Sequence, residues 1–440
     1  KLGMIMRSSS TLTTLEKDIN AVLQPFVPTA SLSLRWSGEP SVTYEAPKIL
    51  PSLTEDAFSG EISRKGHGLQ RALILALLSH LARVRTARTE PGEMAPQSDV
   101  LGGPARDLPP AVRRGPDYII GIEEPELYQH PNRCRHFASV LRHLAAEQGE
   151  DGSNTQILFT THSPYFVSLE HFENVRLVRR DARDAFGLTC TSLSSHTVEE
   201  FRVAWADICG RDPKDVTVGS LLARLLRTMT DSVNEGFFAD VVVLVEGIGD
   251  VGVLTAVAEE KKAEWVAQGV TVLAVDGKEN LAAPILIFRA LGIPTYFIFD
   301  GDQHLKGKGK SCNEHQAKAT NKGLLRLGGV SVGDSFDGFP EETATDAFAC
   351  FAGRLEDSCR LALGDEDYDR FAALVAKDIG WPVGELLKSG RGGECFVHEV
   401  YSAGKTLPNI EKLVERISGF AKAVNAHPPG PIASPAPLAP

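Results

Sequence analysis

The stretch Val241–Asp250, VVVLVEGIGD, decides how the rest of the chain is read. Five apolar residues, four of them β-branched, form a run short enough for a buried strand. Glu246 and Gly247 end that run, and Asp250 opens an apolar pattern (Val251, Val253, Leu254, Val257) with helical spacing. Two carboxylates thus sit where a strand hands over to a helix, and open α/β sheets bind ligands along that edge. A second buried run, Thr295 to Phe299, ends in Asp300-Gly301-Asp302. Alternate strand positions face the same way, so both aspartates are expected to point at one ion. Carboxylates on two strand ends predict a divalent-metal site. An acidic helix cap accounts for Asp250 equally well, but not for Asp300 and Asp302 together.

Outward from that stretch, strand and helix alternate. Val241 to Val245 leads to a helix ending near Glu260, then Val270 to Val275, a helix from Asn280 to Leu291, and Thr295 to Phe299. Such alternation implies an α/β fold with a parallel sheet and right-handed crossovers. Lys278, in Asp276-Gly277-Lys278, falls on the same sheet edge and is a candidate phosphate contact. Lys306, Lys308 and Lys310, interleaved with Gly307 and Gly309, lie just past the second pair of acids. A basic loop there suits a nucleic-acid backbone, although a solvated loop reads equally well.

The first half has a different rhythm. A helical pattern (Leu12 to Leu23) and an alternating stretch (Ser31 to Trp36) precede Ser63-Arg64-Lys65-Gly66-His67-Gly68-Leu69-Gln70-Arg71. That loop runs into Leu73, Ile74, Leu77, Leu78 and Leu81, whose spacing defines a buried helix face. A glycine-containing loop at a helix start presents backbone N–H groups to phosphate, or simply caps the helix. Residues 88–116 are rich in Pro, Gly, Arg and Asp without periodicity, as in an exposed loop. Tyr118 to Ile122 then reads as a strand ending in Glu123-Glu124, followed by a helix from Arg133 to Leu144. Gln156 to Phe159 reads as another strand, ending in Thr160-Thr161-His162-Ser163-Pro164. An apolar strand that ends in two acids is how nucleotide hydrolases hold magnesium and orient water.

The whole chain sets limits on these readings. It has 440 residues, 42% hydrophobic, and no apolar run near membrane-spanning length, so no membrane partner is expected. A net charge of -11 argues against binding nucleic acid through bulk charge alone. Seven scattered cysteines without a C-x-x-C pair fit a reducing cytoplasm and give no zinc-ribbon signal. The opening Lys1-Leu2-Gly3 has no initiator Met and no signal-peptide pattern, as in an internal fragment.

With its loop at 63–71, IIGIEEPELYQHP at 119–131 and ILFTTHSP at 157–164, the first half resembles an ATP-binding-cassette ATPase of the SMC and Rad50 type. The resemblance makes Ser63, Gly66, Gly68 and Gln70 the signature loop and Glu123 the magnesium-binding acid. It makes Glu124 the residue that polarises water and His162 the switch histidine at the γ-phosphate. No G-x-x-x-x-G-K-[ST] loop occurs, so ATP binding is expected only in a longer protein that supplies one. The second half, EGFFADVVVLVEGIGDVGVL at 235–254 followed by D-x-D, resembles a topoisomerase-primase (TOPRIM) domain. Placed after an ATPase half, it resembles the OLD (overcoming lysogenization defect) family of nucleases.

That resemblance implies residues 1–180 as the C-terminal part of an ATPase domain and 181–239 as a helical connector. It implies a TOPRIM domain with helical additions over 240–425 and a disordered Pro-rich tail over 426–440. Glu246, Asp250, Asp300 and Asp302 become ligands of two Mg²⁺ or Mn²⁺ ions, with Glu246 and Lys405 as catalytic residues. The further acid is left open among Glu341, Glu342 and Asp346, and Lys405, in Gly404-Lys405-Thr406, becomes the group that stabilises charge on the scissile phosphate. The expected activity is DNA endonucleolysis by water attack, in a homodimer joined through the ATPase domain. A non-cleaving DNA clamp is the rival, whereas the nucleophilic Tyr domain of a topoisomerase and the zinc ribbon of a primase are not visible. Phage defence is a role that the family suggests and these residues do not test.

Overall fold

The computed structural model describes residues 10–24, 27, 30–37, 48–55, 57–87, 117–146, 154–183, 189–228, 231–308, 313–333 and 335–426. The expected loop 88–116, Lys310 and the tail 427–440 lie outside them. The chain forms two compact units, Lys1–Phe166 and Val167–Pro440.

In the first unit, helix Ser10–Leu23 packs with an antiparallel sheet of β1 (Ala30–Ser37), β2 (Lys48–Glu55) and β3 (Phe58–Glu61). Asn20 ties the two together: its side chain donates to the Leu32 carbonyl (2.9 Å) and accepts from the Leu32 N–H (2.7 Å). Helix His67–Ala87 follows, then parallel strands β4 (Tyr118–Glu123) and β5 (Thr155–Thr160) joined through helix Pro131–Ala146. Leu23, Leu53, Leu73, Phe137 and Leu141 are buried in its core. Both strands stand where the apolar runs Tyr118 to Ile122 and Gln156 to Phe159 placed them, with residues alternating between two faces. One face packs on the core through Ile122 and Ile157, and the other leaves Ile119 73% and Leu158 59% exposed.

The second unit begins with a 3₁₀ turn, Leu169–Asn174, and an antiparallel hairpin of β6 (Leu177–Arg183) and β7 (Thr189–Ser194). The stretch expected as a helical connector therefore starts with a hairpin and becomes helical only at Val198–Cys209 and Val218–Thr228. The first of these helices opens on a capping box between Thr197 and Glu200 and closes on Gly210 in the left-handed region. Phe201, Trp205 and Leu221 lie in the core of the sheet that follows, so the segment is a packed layer of this unit.

That sheet has the order β11-β12-β10-β8-β9, formed by β8 (Val241–Val245), β9 (Val270–Ala274), β10 (Thr295–Asp300), β11 (Thr343–Ala344) and β12 (Phe348–Phe351). The pairs β8/β9, β8/β10 and β10/β12 are parallel, as expected, and the short edge strand β11 is antiparallel. All five residues of β8 are buried. Because strand residues alternate, Val241, Val243 and Val245 enter one core, with helices Ile248–Glu260, Asp365–Ile379, Gly390–Ser402 and Pro408–Ala426. Val242 and Leu244 enter the other, with helices Val198–Cys209, Ala282–Ala290 and Glu314–Leu327. A three-layer α/β/α unit results, and its helix-entry edge carries the acids.

Helix Ile248–Glu260 meets helix Gly390–Ser402 backbone to backbone. A Cβ on Gly249 would lie 1.6 Å from the Leu387 carbonyl oxygen, and one on Gly252 would lie 2.1 Å from that of Gly390. Gly249 and Gly252 are thus required by packing. Among the described residues, no helix is long and apolar enough to cross a membrane.

Candidate active site

Glu246 follows the last residue of β8, and its Oε1 accepts the Asp300 N–H at 2.7 Å. One hydrogen bond therefore joins the two acidic strand ends. Asp250 lies in the first turn of its helix, where its Oδ2 accepts the Gly247 N–H at 2.9 Å. The capping role and the place beside the other acids belong to one side chain. Asp300 is the last residue of β10, and its Oδ1 accepts the Leu355 N–H (3.2 Å) at the start of helix Leu355–Leu363.

The expectation that Asp300 and Asp302 share a face as alternate strand residues does not hold, because the strand stops at Asp300 and Asp302 has φ +56. Their meeting point is Lys278. Its ammonium donates to the Asp300 carbonyl oxygen (2.6 Å) and to the Asp302 carboxylate. Sequence assigned Lys278 to a phosphate, but the side chain is 7% exposed and turned into the acids. It sits on a 3₁₀ turn, Lys278–Asn280, held by Asn280, which donates to the Val275 and Asp276 carbonyls at 3.0 and 2.9 Å.

The loop after β10 is fixed from the other side by Asn321, which is fully buried. Its amide donates to the Gly301 and Gly338 carbonyls, each at 2.9 Å. The segment Gly338 to Pro340 is thereby docked on the Asp300-Gly301-Asp302 loop, and Gln303 donates to the Pro340 carbonyl at 3.0 Å.

Burial is the first cause that pushes these carboxyls up. Glu246 is raised to about 8, with the Lys278 ammonium and the Asp300 N–H opposing the rise. Asp250 is raised to about 6, with the Gly247 N–H opposing and Glu356 adding repulsion. Asp300 is raised well above the usual carboxylate range by burial, then by Glu246, Asp250 and Glu356. Burial outweighs the single ammonium of Lys278, which is the one cation among the causes acting on Glu246.

Glu356 is the acid that sequence reading missed. It lies in the first turn of helix Leu355–Leu363, after β12, and acts on both Asp250 and Asp300. The signal was present, since FACF at 348–351 is another buried run followed by an acid at a helix start. Glu341, Glu342 and Asp346, the expected candidates, are all exposed.

The remaining assignments fall apart from this cluster. Lys405 pairs with Asp367 at 2.9 Å and is 51% exposed, and Lys306 pairs with Asp337 at 2.7 Å. Lys308 is exposed. In the first unit, His162 Nε2 lies 3.6 Å from Glu124 Oε1, and the His162 N–H donates to Glu126 Oε1 at 2.7 Å. Arg71 donates to the Glu124 carbonyl, and Glu124 has φ +42. Gln70 turns back to the carbonyls of Ile62 (2.9 Å) and Lys65 (2.8 Å), closing the loop that holds exposed Ser63 and Gly66. The Gly68 carbonyl accepts from Gln129 at 3.1 Å, and Glu123 is exposed at the end of β4.

Among the described residues, no three His, Cys, Asp or Glu side chains are already spaced as a metal cage. The donor chemistry nevertheless fits a hard divalent cation: carboxylate oxygens of Glu246, Asp250, Asp300 and Asp302 gathered at two strand ends, offset by the single ammonium of Lys278.

Residues 237–302 match the family described as overcoming lysogenization defect protein-like, TOPRIM domain, and residues 7–167 match the AAA ATPase domain family. The chain is 30% identical over 181 residues to the OLD nuclease of Thermus scotoductus, a match covering 41% of this chain and 30% of that protein. It is 26% identical over 298 residues to the Old nuclease of Escherichia phage P2, covering 66% and 42%. The matches therefore span less than half the length of either relative. The C-terminal region of the Burkholderia pseudomallei OLD protein aligns at 15% identity with a TM-score of 0.30, over 42% of this chain and 98% of that one.

Proposed function

We propose, from the premise that this chain is an OLD-family protein with an ATPase-type domain ahead of its TOPRIM domain, that it is a metal-dependent DNA endonuclease. The observation that carries the reading is the joining of Glu246 to Asp300 across two parallel strand ends, with Asp250, Asp302 and Glu356 around them. Glu246, Asp250, Asp300 and Asp302 would hold two Mg²⁺ or Mn²⁺ ions, with Glu356 as the downstream acid. Such ions, when bound, offset phosphate charge and supply an activated water for in-line displacement.

The chain's own residues set the geometry. The Asp300 N–H fixes the Glu246 carboxylate, the Gly247 N–H fixes that of Asp250, and the Leu355 N–H fixes that of Asp300. Asn321 holds the D-x-D loop in place. Lys306 and Lys308 would meet the DNA backbone, and Lys405 would approach the scissile phosphate after leaving Asp367. Together with a phosphate-binding loop, His162 and Glu124 would serve ATP turnover, and the ATPase domain would join two copies in a homodimer. The seven scattered cysteines of the sequence, with no C-x-x-C pair, suit a cytoplasmic setting.

Supercoiled plasmid incubated with Mg²⁺, Mn²⁺ or Ca²⁺ tests this reading. The expected result is nicking or cutting with Mg²⁺ or Mn²⁺ that is lost in Asp302→Ala. Undiminished cleavage in that variant refutes the site. Metal-dependent DNA retention without cleavage supports the clamp instead.

A further inference from the structure

We infer that Lys278 is a built-in cation that occupies the acid cluster when no metal ion is bound, and that it must release the Asp302 carboxylate for a divalent ion to bind there. The inference rests on the metal reading above and adds what sets the strength of binding. Lys278 sits on the turn after β9, the strand beside β8, so its side chain reaches the ends of β8 and β10 from one side. Its ammonium makes two bonds to the acidic loop, one to the Asp300 carbonyl and one to the Asp302 carboxylate. It is also the largest attractive influence on Glu246. A solvated DNA-binding lysine would be exposed, and this one is 7% exposed.

An ammonium among several carboxylates does part of the work of a metal ion: it offsets their mutual repulsion and fixes their positions. It carries one positive charge where a divalent ion carries two. An arriving ion therefore has to displace the ammonium from Asp302 or bind beside it against repulsion, and both weaken metal binding. The site is thereby kept ordered without metal and its affinity is set low. Replacing Lys278 with a neutral side chain of similar length removes the competitor and leaves the oxygens. Metal binding should then tighten, while the metal-free protein loses stability.

Calorimetric titration of the full chain with Mn²⁺, without DNA, tests this. Lys278→Met is expected to bind Mn²⁺ about tenfold more tightly than the wild type, a change of about 1.4 kcal/mol. Equal or weaker binding overturns the inference while leaving the metal site standing. Wild-type Mn²⁺ binding that persists unchanged in Asp302→Asn shows that the metal reading itself fails, and the inference with it. If Lys278→Met does not fold, the pairing is read from Lys278→Met/Asp302→Asn, which removes both partners. That double variant is expected to fold and to unfold cooperatively on heating. Failure of the double variant to regain a folded state overturns the inference.

Discussion

Replacing Glu246 with glutamine is predicted to stabilise the metal-free protein while abolishing its use of cations. The amide has the shape of the protonated carboxyl, and its oxygen still accepts the Asp300 N–H. In the unfolded chain Glu246 ionises near its ordinary value of 4.5, whereas in the folded protein it is held at about 8, chiefly by burial. Between those values the folded state binds more protons than the unfolded one, so stability falls as pH rises through that window. Each pH step costs about 1.4 kcal/mol, giving a penalty of roughly 3 kcal/mol near pH 7 that glutamine does not carry. At about 2 to 4 °C per kcal/mol for a unit of this size, Tm should rise by up to roughly 10 °C. The assay is thermal unfolding in EDTA at several pH values, wild type against Glu246→Gln. The gain should be small near pH 5 and largest above pH 8, and added Mn²⁺ should stabilise the wild type far more than the variant. A gain that is independent of pH, or a variant less stable than wild type at pH 8, refutes the reasoning.

Three further outcomes follow from the packing and the acids. Asn321→Ala leaves the Gly301 and Gly338 carbonyls without their buried donor and should cost about 2 to 5 kcal/mol in chemical denaturation. Gly252→Ala sets a Cβ against the Gly390 carbonyl and should cost about 3 kcal/mol or more, lowering the denaturant midpoint of the second unit. Glu356→Gln should weaken Mn²⁺ binding measured by calorimetry, whereas Glu341→Gln and Glu342→Gln should leave it close to wild type. A loss confined to the latter two would return the downstream acid to the 341–342 segment.

The sheet was legible because its signals are local. Val241 to Val245 is a short β-branched run closed by Glu246 and Gly247, and the alternation after it leaves few topologies for a parallel sheet. The acids at the ends of β8 and β10 follow from the same pattern. What escaped the sequence depends on contacts between distant segments. Glu356 reaches the site because β12 pairs with β10, setting Phe351 beside Asp300 across some fifty residues of chain. Lys278 is equally compatible with facing solvent or facing acids, and only the neighbouring strand ends decide it. The hairpin of β6 and β7 was hidden by LVRRDAR, whose charges obscure the alternation of a half-exposed strand. The open face of β4 and β5 could not be read from apolar composition, which does not say how many faces are covered.

The central claim is that Glu246, Asp250, Asp300 and Asp302 hold divalent cations at the ends of β8 and β10. Anomalous diffraction from crystals of the full chain soaked in Mn²⁺ tests it most directly. The account predicts manganese peaks bonded to carboxylate oxygens of Glu246, Asp300 and Asp302, with the Lys278 ammonium withdrawn from Asp302. Manganese bound elsewhere, with Lys278 still paired to Asp302, would contradict it.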